Sequence, residues 1–168
     1  MQIKRFSAIL TNFSNRSPHQ LLLLGIITMK KKTLDIAYSY DFDLIGIISP
    51  LKGYRLAWEI NNWMGVKLIK EKDLLISFKG GLEANFSYFS YQGEANVLKL
   101  FRNKPQESDS IKNTLVPEFS HFDFIFLTQS DDPGKINRLQ ELLRSIPSVE
   151  LVAFIPLNVL KSKDYFIF

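Results

Sequence analysis

The sequence predicts one α+β domain, with a mostly antiparallel sheet of about six strands, two helices, and a ferredoxin-like βαβ plan enlarged by an inserted hairpin. Three observations favour this class. Segments with strand-like and helix-like periodicity follow one another as strand, helix, three strands, strand, helix, strand. A Gly-Gly pair between two strand-like segments is a hairpin signal. The 168 residues, of which 46% are hydrophobic, suit a single core.

The first predicted strand covers residues 34–41, where apolar and polar side chains alternate with the period of a half-buried strand. The next segment, residues 42–48, is almost continuously apolar. Periodicity does not separate a buried strand from a helical turn over so short a run. Both interpretations of residues 42–48 therefore stay open.

A helix is predicted to begin at Ser49-Pro50 and to end at Met64. The serine hydroxyl can accept an early backbone N–H, the proline suits the first turn, and Gly65 can adopt the left-handed conformation that ends a helix. Apolar residues recur every three and four positions, so we expect a broad buried face and interpret both tryptophans as core residues rather than a ligand cage. The residues of that face are Tyr54, Leu56, Ala57, Trp58, Ile60, Trp63 and Met64.

Three strands are predicted to form an antiparallel meander. Residues 74–78 read as a strand that ends at Gly80-Gly81, and the returning strand covers residues 82–91. A turn at residues 92–94 leads into the third strand, residues 95–102.

The second half of the chain begins with residues 103–113, a polar stretch predicted to be a surface loop with little chemistry. An apolar strand follows at residues 121–129, and a helix with one apolar face follows residues 131–134. Pro147 ends that helix, and residues 149–155 are the last predicted strand. The final residues are aromatic enough that we expect them to dock on the domain.

Positive charge is concentrated at the start of the chain. The chain has 21 basic and 17 acidic residues, a net charge of +4. Residues 1–34 contain no acid, so the rest of the chain has fewer basic than acidic side chains. This distribution argues against a nucleic-acid surface on the folded domain. The basic residues of the first segment are Lys4, Arg5, Arg16, Lys30, Lys31 and Lys32.

Residues 1–28 are expected to be an upstream extension or a mis-assigned start, which leaves residues 29–168 as the domain. The apolar run at residues 21–27 makes a poor signal peptide and is far shorter than the roughly 20 residues of a membrane span. Met29, followed by three lysines, reads as an ordinary bacterial N-terminus. The chain has no cysteine, which excludes disulfides and thiolate chemistry, and we predict a cytoplasmic location.

Common nucleotide-binding and catalytic motifs are missing from the sequence. Gly80-Gly81 joins two predicted strands and lacks both the GxxxxGK[ST] pattern and the strand-to-helix context. His19 and His121 are too few for a histidine metal cluster, and no GxSxG elbow accompanies His121. We therefore interpret His121 as a structural or surface residue and predict no cofactor.

Four carboxylates are the better candidates for chemistry. Asp41 and Asp43 flank the apolar segment, and Glu118 and Asp123 lie where a loop enters a predicted strand. Together they could hold Mg²⁺ or act as acid and base, if the fold brought them together. We favour the simpler interpretation, in which Asp41 caps a turn, Glu118 pairs with Arg55 or a lysine, and Asp123 is solvated or bonded to backbone.

The segment LVPEFSHFDF at residues 115–124 resembles the signature of the IPExxxVDY family, small bacterial proteins named after that motif. Pro117, Glu118 and Asp123 match at the family's spacing. Val116, Phe122 and Phe124 replace Ile, Val and Tyr, and the last replacement removes a phenolic hydroxyl, which argues against catalysis by that group. The resemblance covers about residues 29–168 and implies no particular activity. Its other segments are YDFD at 40–43, IGI at 45–47, YRLAW at 54–58, LRSIP at 143–147 and LKSK at 160–163.

The motif also has a physical interpretation. Pro117 stiffens the entry to a strand, and Glu118 is predicted to anchor the helix end at Tyr54 and Arg55. The candidate site residues are Val116, Pro117, Glu118, Asp123, Phe124, Tyr54 and Arg55, and the weaker metal candidates are Asp41, Asp43, Glu118 and Asp123.

The sequence favours a non-enzymatic module that binds a protein partner or a small ligand through its sheet or through the loop before Val116. Two alternatives stay open. One is a metal-assisted enzyme that uses the four carboxylates. The other is a nucleic-acid binder that uses the basic N-terminal arm.

Overall fold

The computed structural model describes residues 40–78, 80–106, 109, 113–130, 132 and 134–168, all of which belong to one compact unit. The extension at residues 1–28 lies outside the described residues, and so does most of the strand predicted at residues 34–41. The helices are α1 (Gly53–Met64) and α2 (Lys135–Arg144). The strands are β1 (Asp43–Ile48), β2 (Ile69–Lys70), β3 (Leu74–Phe78), β4 (Leu82–Phe86), β5 (Tyr88–Gln92), β6 (Val97–Arg102), β7 (Phe124–Gln129) and β8 (Leu151–Ile155).

The strands form two antiparallel sheets, which confirms the predicted α+β class. The larger sheet has six strands in the order β2-β5-β6-β7-β1-β8, and β3 and β4 form a separate pair. Helix α1 follows β1 and helix α2 follows β7, so the order β6-β7-β1-β8 is compatible with the ferredoxin-like βαβ plan. The β3–β4 hairpin is an insertion into that plan.

Periodicity did not decide the conformation of residues 42–48. In the structure, most of this segment forms strand β1. Ile45 and Ile47 pack towards the helices, whereas Leu44 packs on the opposite face of the sheet, and all three are fully buried. Its partner β7 alternates in the same way and pairs Ile45 with Phe126. A strand that is buried on both faces needs apolar residues at every position, which explains the continuous run.

Helix α1 differs from the prediction at its start and in its orientation. It begins at Gly53, with Lys52 before its first turn. The Ser49 hydroxyl lies ahead of the helix, where it accepts a hydrogen bond from the Leu51 N–H at 3.4 Å and donates one to the Ser148 carbonyl oxygen at 2.7 Å. Gly65 ends it with a φ of +64°, as predicted. The buried residues of α1 are Leu56, Ala57 and Ile60.

The predicted burial of both tryptophans is wrong. Trp58 is 62% exposed, Trp63 is 50% exposed, and Tyr54 is 65% exposed. Helix α1 contacts the sheet along a narrow stripe, so apolar residues to either side of that stripe remain at the surface.

The prediction of one returning strand at residues 82–91 is wrong. In the structure this segment forms two strands, which are separated at Ser87. Its first part, β4, pairs with β3, and its second part, β5, pairs with β6 in the larger sheet. Alternation continues across the break, so periodicity did not reveal it.

The C-terminal segment docks on the sheet face opposite the helices, as expected. Phe166 is buried there, with its ring centroid 5.3 Å from that of Phe101. Phe168 contacts Tyr88 edge-on at 5.6 Å. Within the described part of the chain, no helix has the length and apolarity that crossing a membrane requires.

Candidate functional site

A cleft of about 670 Å³ lies where the start of α1 meets strands β2, β5 and β6. Phe89 of β5 and Phe124 of β7 line it with aromatic surface, and Gly53 packs over both rings. A Cβ atom at Gly53 would stand 3.4 Å from each ring, so the helix start lies close to the sheet. The remaining residues around the cleft are Ser49, Pro50, Leu51, Lys52, Tyr54, Lys70, Ser87, Arg102, Lys104 and Asp123.

The cleft has an excess of positive charge, since four cationic side chains and one carboxylate line it. Lys104 Nζ lies 2.8 Å from Asp123 Oδ1, and Lys70 pairs with Asp73 outside the cleft. In the part of the chain that the structure describes, Lys52 and Arg102 have no side-chain hydrogen bond or ion pair. The cleft therefore has two uncompensated positive charges.

The antiparallel sheet brings these residues together from distant parts of the sequence. Arg102 ends β6 directly beside Phe124 of β7, and Lys104 follows two residues later. Lys70 enters from β2, where its ammonium lies 5.9 Å from the centre of the Phe89 ring. The helix start adds Lys52, and none of the described side chains caps the first turn of α1. Uncapped N–H groups at a helix start favour anions, as the cations do.

Asp123 is the motif residue that holds the cleft in shape. Its Oδ2 accepts a hydrogen bond from the Ser49 backbone N–H at 3.3 Å, and its other oxygen binds Lys104. Its backbone N–H donates to the Ile47 carbonyl oxygen at 3.0 Å. Asp123 thus ties the β1–α1 connection to the entry of β7.

The other candidate residues are distributed between the core and the surface. Phe124 and Tyr54 line the cleft with Asp123, whereas Val116 is fully buried in the core on the other sheet face. Pro117 opens the short 3₁₀ turn Pro117–Phe119. Val116 and Pro117 therefore have structural positions, away from the cleft.

The predicted contact of Glu118 with the helix end is wrong. Its carboxylate accepts hydrogen bonds from the Lys161 N–H at 2.6 Å, the Ser162 N–H at 3.2 Å and the Ser162 hydroxyl at 2.9 Å. Arg55 is exposed and is not its partner. The partners of Glu118 therefore belong to the C-terminal segment, which packs on the sheet face opposite the helices.

These hydrogen bonds determine the ionisation of Glu118. Burial by itself would raise its pKa, but hydrogen bonds from its own N–H, from the Lys161 N–H and from the Ser162 hydroxyl and N–H stabilise the carboxylate. Together they hold the pKa of Glu118 below its ordinary value. The carboxylate is therefore ionised at neutral pH and fastens the C-terminal segment.

The four carboxylates proposed as a cluster do not converge. Asp43 is paired with Thr128 near the end of β7, and Asp41 accepts a hydrogen bond from Gln129 at that same end. Asp123 precedes the opposite end of β7, and Glu118 faces the C-terminal segment. Among the described residues, no group of three or more His, Cys, Asp and Glu side chains could hold a metal ion.

Asn103 is the main residue that the sequence interpretation missed, because it lay in a segment predicted to be a surface loop. It is fully buried, and its amide donates to the carbonyl oxygens of Phe119 at 3.1 Å and Phe122 at 2.9 Å. Its Oδ1 accepts from the Val116 N–H at 2.9 Å. A single buried Asn leaves no periodic signal, so its role was not predictable from the pattern.

Comparison with protein family models and with curated proteins identifies no relative. No protein family model matches the chain. No curated protein matches it either. The resemblance to the IPExxxVDY family therefore stays a prediction that rests on the motif residues themselves.

Proposed function

We propose that this protein is a non-enzymatic binding module, and that the cleft at the start of α1 holds an anionic group of its ligand. The observation that carries the proposal is the pair of uncompensated cations, Lys52 and Arg102, in a cleft that also contains Lys70 and Lys104. Like charges held close together repel one another, and a bound anion relieves that repulsion. Membership of the IPExxxVDY family and a cytoplasmic location belong to the same proposal.

The size and lining of the cleft support binding of an organic anion. A volume of about 670 Å³ lies within the range of roughly 300 to 1,000 Å³ that is usual for ligand pockets. Phe89 and Phe124, both largely buried, form an aromatic floor next to the cations. Asp123 is already bonded to Lys104 and to the Ser49 N–H, so its role is to position the cleft.

The alternative of a metal-assisted enzyme has less support, since Asp41, Asp43, Glu118 and Asp123 lie apart. The alternative of a nucleic-acid binder depends on the basic arm, which lies outside the described residues. It stays a prediction from the charge of that arm.

Thermal unfolding of the full chain with inorganic pyrophosphate or citrate tests the proposal. We expect both anions to raise the Tm of the native protein, and Arg102→Gln to remove most of that rise. Arg138→Gln is the matched control, because Arg138 is an exposed cation of α2 outside the cleft. The proposal is wrong if neither anion changes the Tm, or if Arg102→Gln and Arg138→Gln respond alike.

A further inference from the structure

Helix α1 exposes three large aromatic residues, Tyr54, Trp58 and Trp63, which we call the aromatic stripe. Each is at least 50% exposed. Large aromatic side chains are usually more buried than this, and exposed apolar patches commonly mark interaction sites. Tyr54 and Trp58 are four residues apart and are therefore neighbours on the helix surface.

The aromatic stripe is continuous with the cleft at one end. Tyr54 lines the cleft and also begins the stripe. At the other end, Trp58 and Trp63 line a second concavity of about 490 Å³ together with Pro147. Trp58 lies four positions and about 6 Å of helix rise beyond Tyr54, so about two extended residues lead from the cleft to the second concavity. Trp63 is about two and a half turns from Tyr54 and contributes the far wall of that concavity.

The walls of this second concavity are held in place by hydrogen bonds. The Ser148 hydroxyl donates to the carboxylate of Glu59, and the Ser148 carbonyl oxygen accepts from the Ser49 hydroxyl at 2.7 Å. Ser49 itself lines the cleft. The cleft and the far end of the stripe are therefore joined by one chain of hydrogen bonds, and the surface is preorganised for an extended ligand.

Charge is distributed unevenly along this surface. The cations Lys52, Lys70, Arg102 and Lys104 all lie at the cleft. The second concavity has one charged residue, Glu59, whose carboxylate is bonded to Ser148. A nucleic-acid strand carries a phosphate at every nucleotide and needs cations along its whole path. The surface instead suits a ligand that is anionic at one end and apolar along the rest.

We infer that the cleft and the aromatic stripe form one docking surface for an acidic segment of another protein. Acidic side chains of the partner bind in the cleft, and the apolar side chains that adjoin them pack on Tyr54 and Trp58 and reach the concavity beside Pro147. This inference rests on the proposed function of the cleft, and it names the class of ligand. Aromatic anchors next to a localised charge are the residues that carry most binding energy in protein interfaces.

The test uses the full chain and three probes: a peptide with a run of glutamates followed by leucine and phenylalanine (the mixed peptide), a peptide of glutamates alone, and inorganic pyrophosphate. A thymidylate oligonucleotide serves as the comparison ligand. The chain has two tryptophans, Trp58 and Trp63, so its own tryptophan fluorescence reports on the stripe. We expect the mixed peptide to bind about tenfold more tightly than the glutamate peptide and to shift the tryptophan emission.

Variants separate the stripe from the cleft. Trp58→Ala weakens binding of the mixed peptide about tenfold and leaves the affinities for the glutamate peptide and pyrophosphate unchanged. Arg102→Gln weakens binding of all three probes. Leu142→Ala is the control for loss of an exposed apolar side chain, since Leu142 lies on α2 and is 37% exposed. It leaves every affinity unchanged.

Each failure has a distinct meaning. If the glutamate peptide and pyrophosphate bind but the mixed peptide binds no more tightly, the inference is wrong and the proposed function stands. If no probe binds, both are wrong. A thymidylate oligonucleotide that binds more tightly than the mixed peptide also overturns the inference, in favour of a nucleic-acid ligand.

Discussion

The aromatic ring of Phe122 fills the space that a side chain at position 46 would need. A Cβ atom built on Gly46 would stand 2.4 Å from two carbon atoms of that ring, far inside van der Waals contact. Gly46 lies in the middle of β1, between Ile125 of β7 and Ala153 of β8. The motif segment therefore packs directly onto the backbone of β1, an interior strand of the sheet, which requires glycine at this position.

Gly46→Ala is expected to destabilise the protein by about 1 to 3 kcal/mol, because Phe122 is buried and its ring has to move. Urea denaturation measures the change in the free energy of unfolding. Gly134→Ala is the control, since an added Cβ atom there meets its nearest neighbour at 3.4 Å. Equal effects of the two substitutions would contradict the packing described for Phe122.

Asn103→Ala is expected to cost about 2 to 4 kcal/mol, because it leaves the Val116 N–H and the Phe122 carbonyl oxygen without their partner and removes one of the two donors to the Phe119 carbonyl oxygen. Asn103→Asp keeps the acceptor for Val116 but directs an oxygen at two carbonyl oxygens, so it also destabilises. The control is Asn62→Ala on the exposed side of α1, for which we expect little change. A stable Asn103→Ala protein would refute the role of this amide.

Glu118 is expected to make stability depend on pH in acid. Because its pKa is lowered in the folded state, its contribution is complete above the unfolded-state value of about 4.3 and is lost as pH falls through the folded-state value. The contribution stays below about 1 kcal/mol, since the side chain is largely exposed and solvent screens it. Glu118→Gln should be less stable than the native protein at pH 7 and should match it in strong acid.

The comparison for Glu118 is Glu141→Gln, at an exposed carboxylate of α2. Thermal unfolding from neutral to acidic pH gives the difference between each variant and the native protein. The hydrogen bonds to the C-terminal segment are contradicted if the Tm difference between Glu118→Gln and the native protein is constant across this pH range. They are also contradicted if that difference equals the one for Glu141→Gln.

Thr128→Val is expected to be neutral or to stabilise the protein by up to about 1 kcal/mol. The Thr128 hydroxyl is buried and has no hydrogen-bond partner among the described residues, so its removal leaves no group unpaired. Valine has nearly the same shape. Thr128→Ala, which leaves a cavity, should instead destabilise. Chemical denaturation measures the change in the free energy of unfolding. A clear loss of stability in Thr128→Val would mean that the hydroxyl has a hydrogen-bond partner.

Elements with strong local signals were predictable from sequence. The β3–β4 hairpin turns at Gly80 and Gly81, whose φ values of +90° and +75° favour glycine. The end of α1 at Gly65 and the apolar face of α2 around Leu139 and Leu143 likewise follow from local geometry. In each case the signal and the structure that it specifies lie within a few residues of one another.

The sequence by itself determined the α+β class and the positions of the two helices, because periodicity and turn residues act locally. Tertiary structure alone decided that Trp58 and Trp63 are exposed, since helical spacing shows that residues share a face but not which face meets the sheet. It also assembled the cleft. Its cations come from separate segments, and only the pairing of β6 with β7 brings Arg102 beside Phe124.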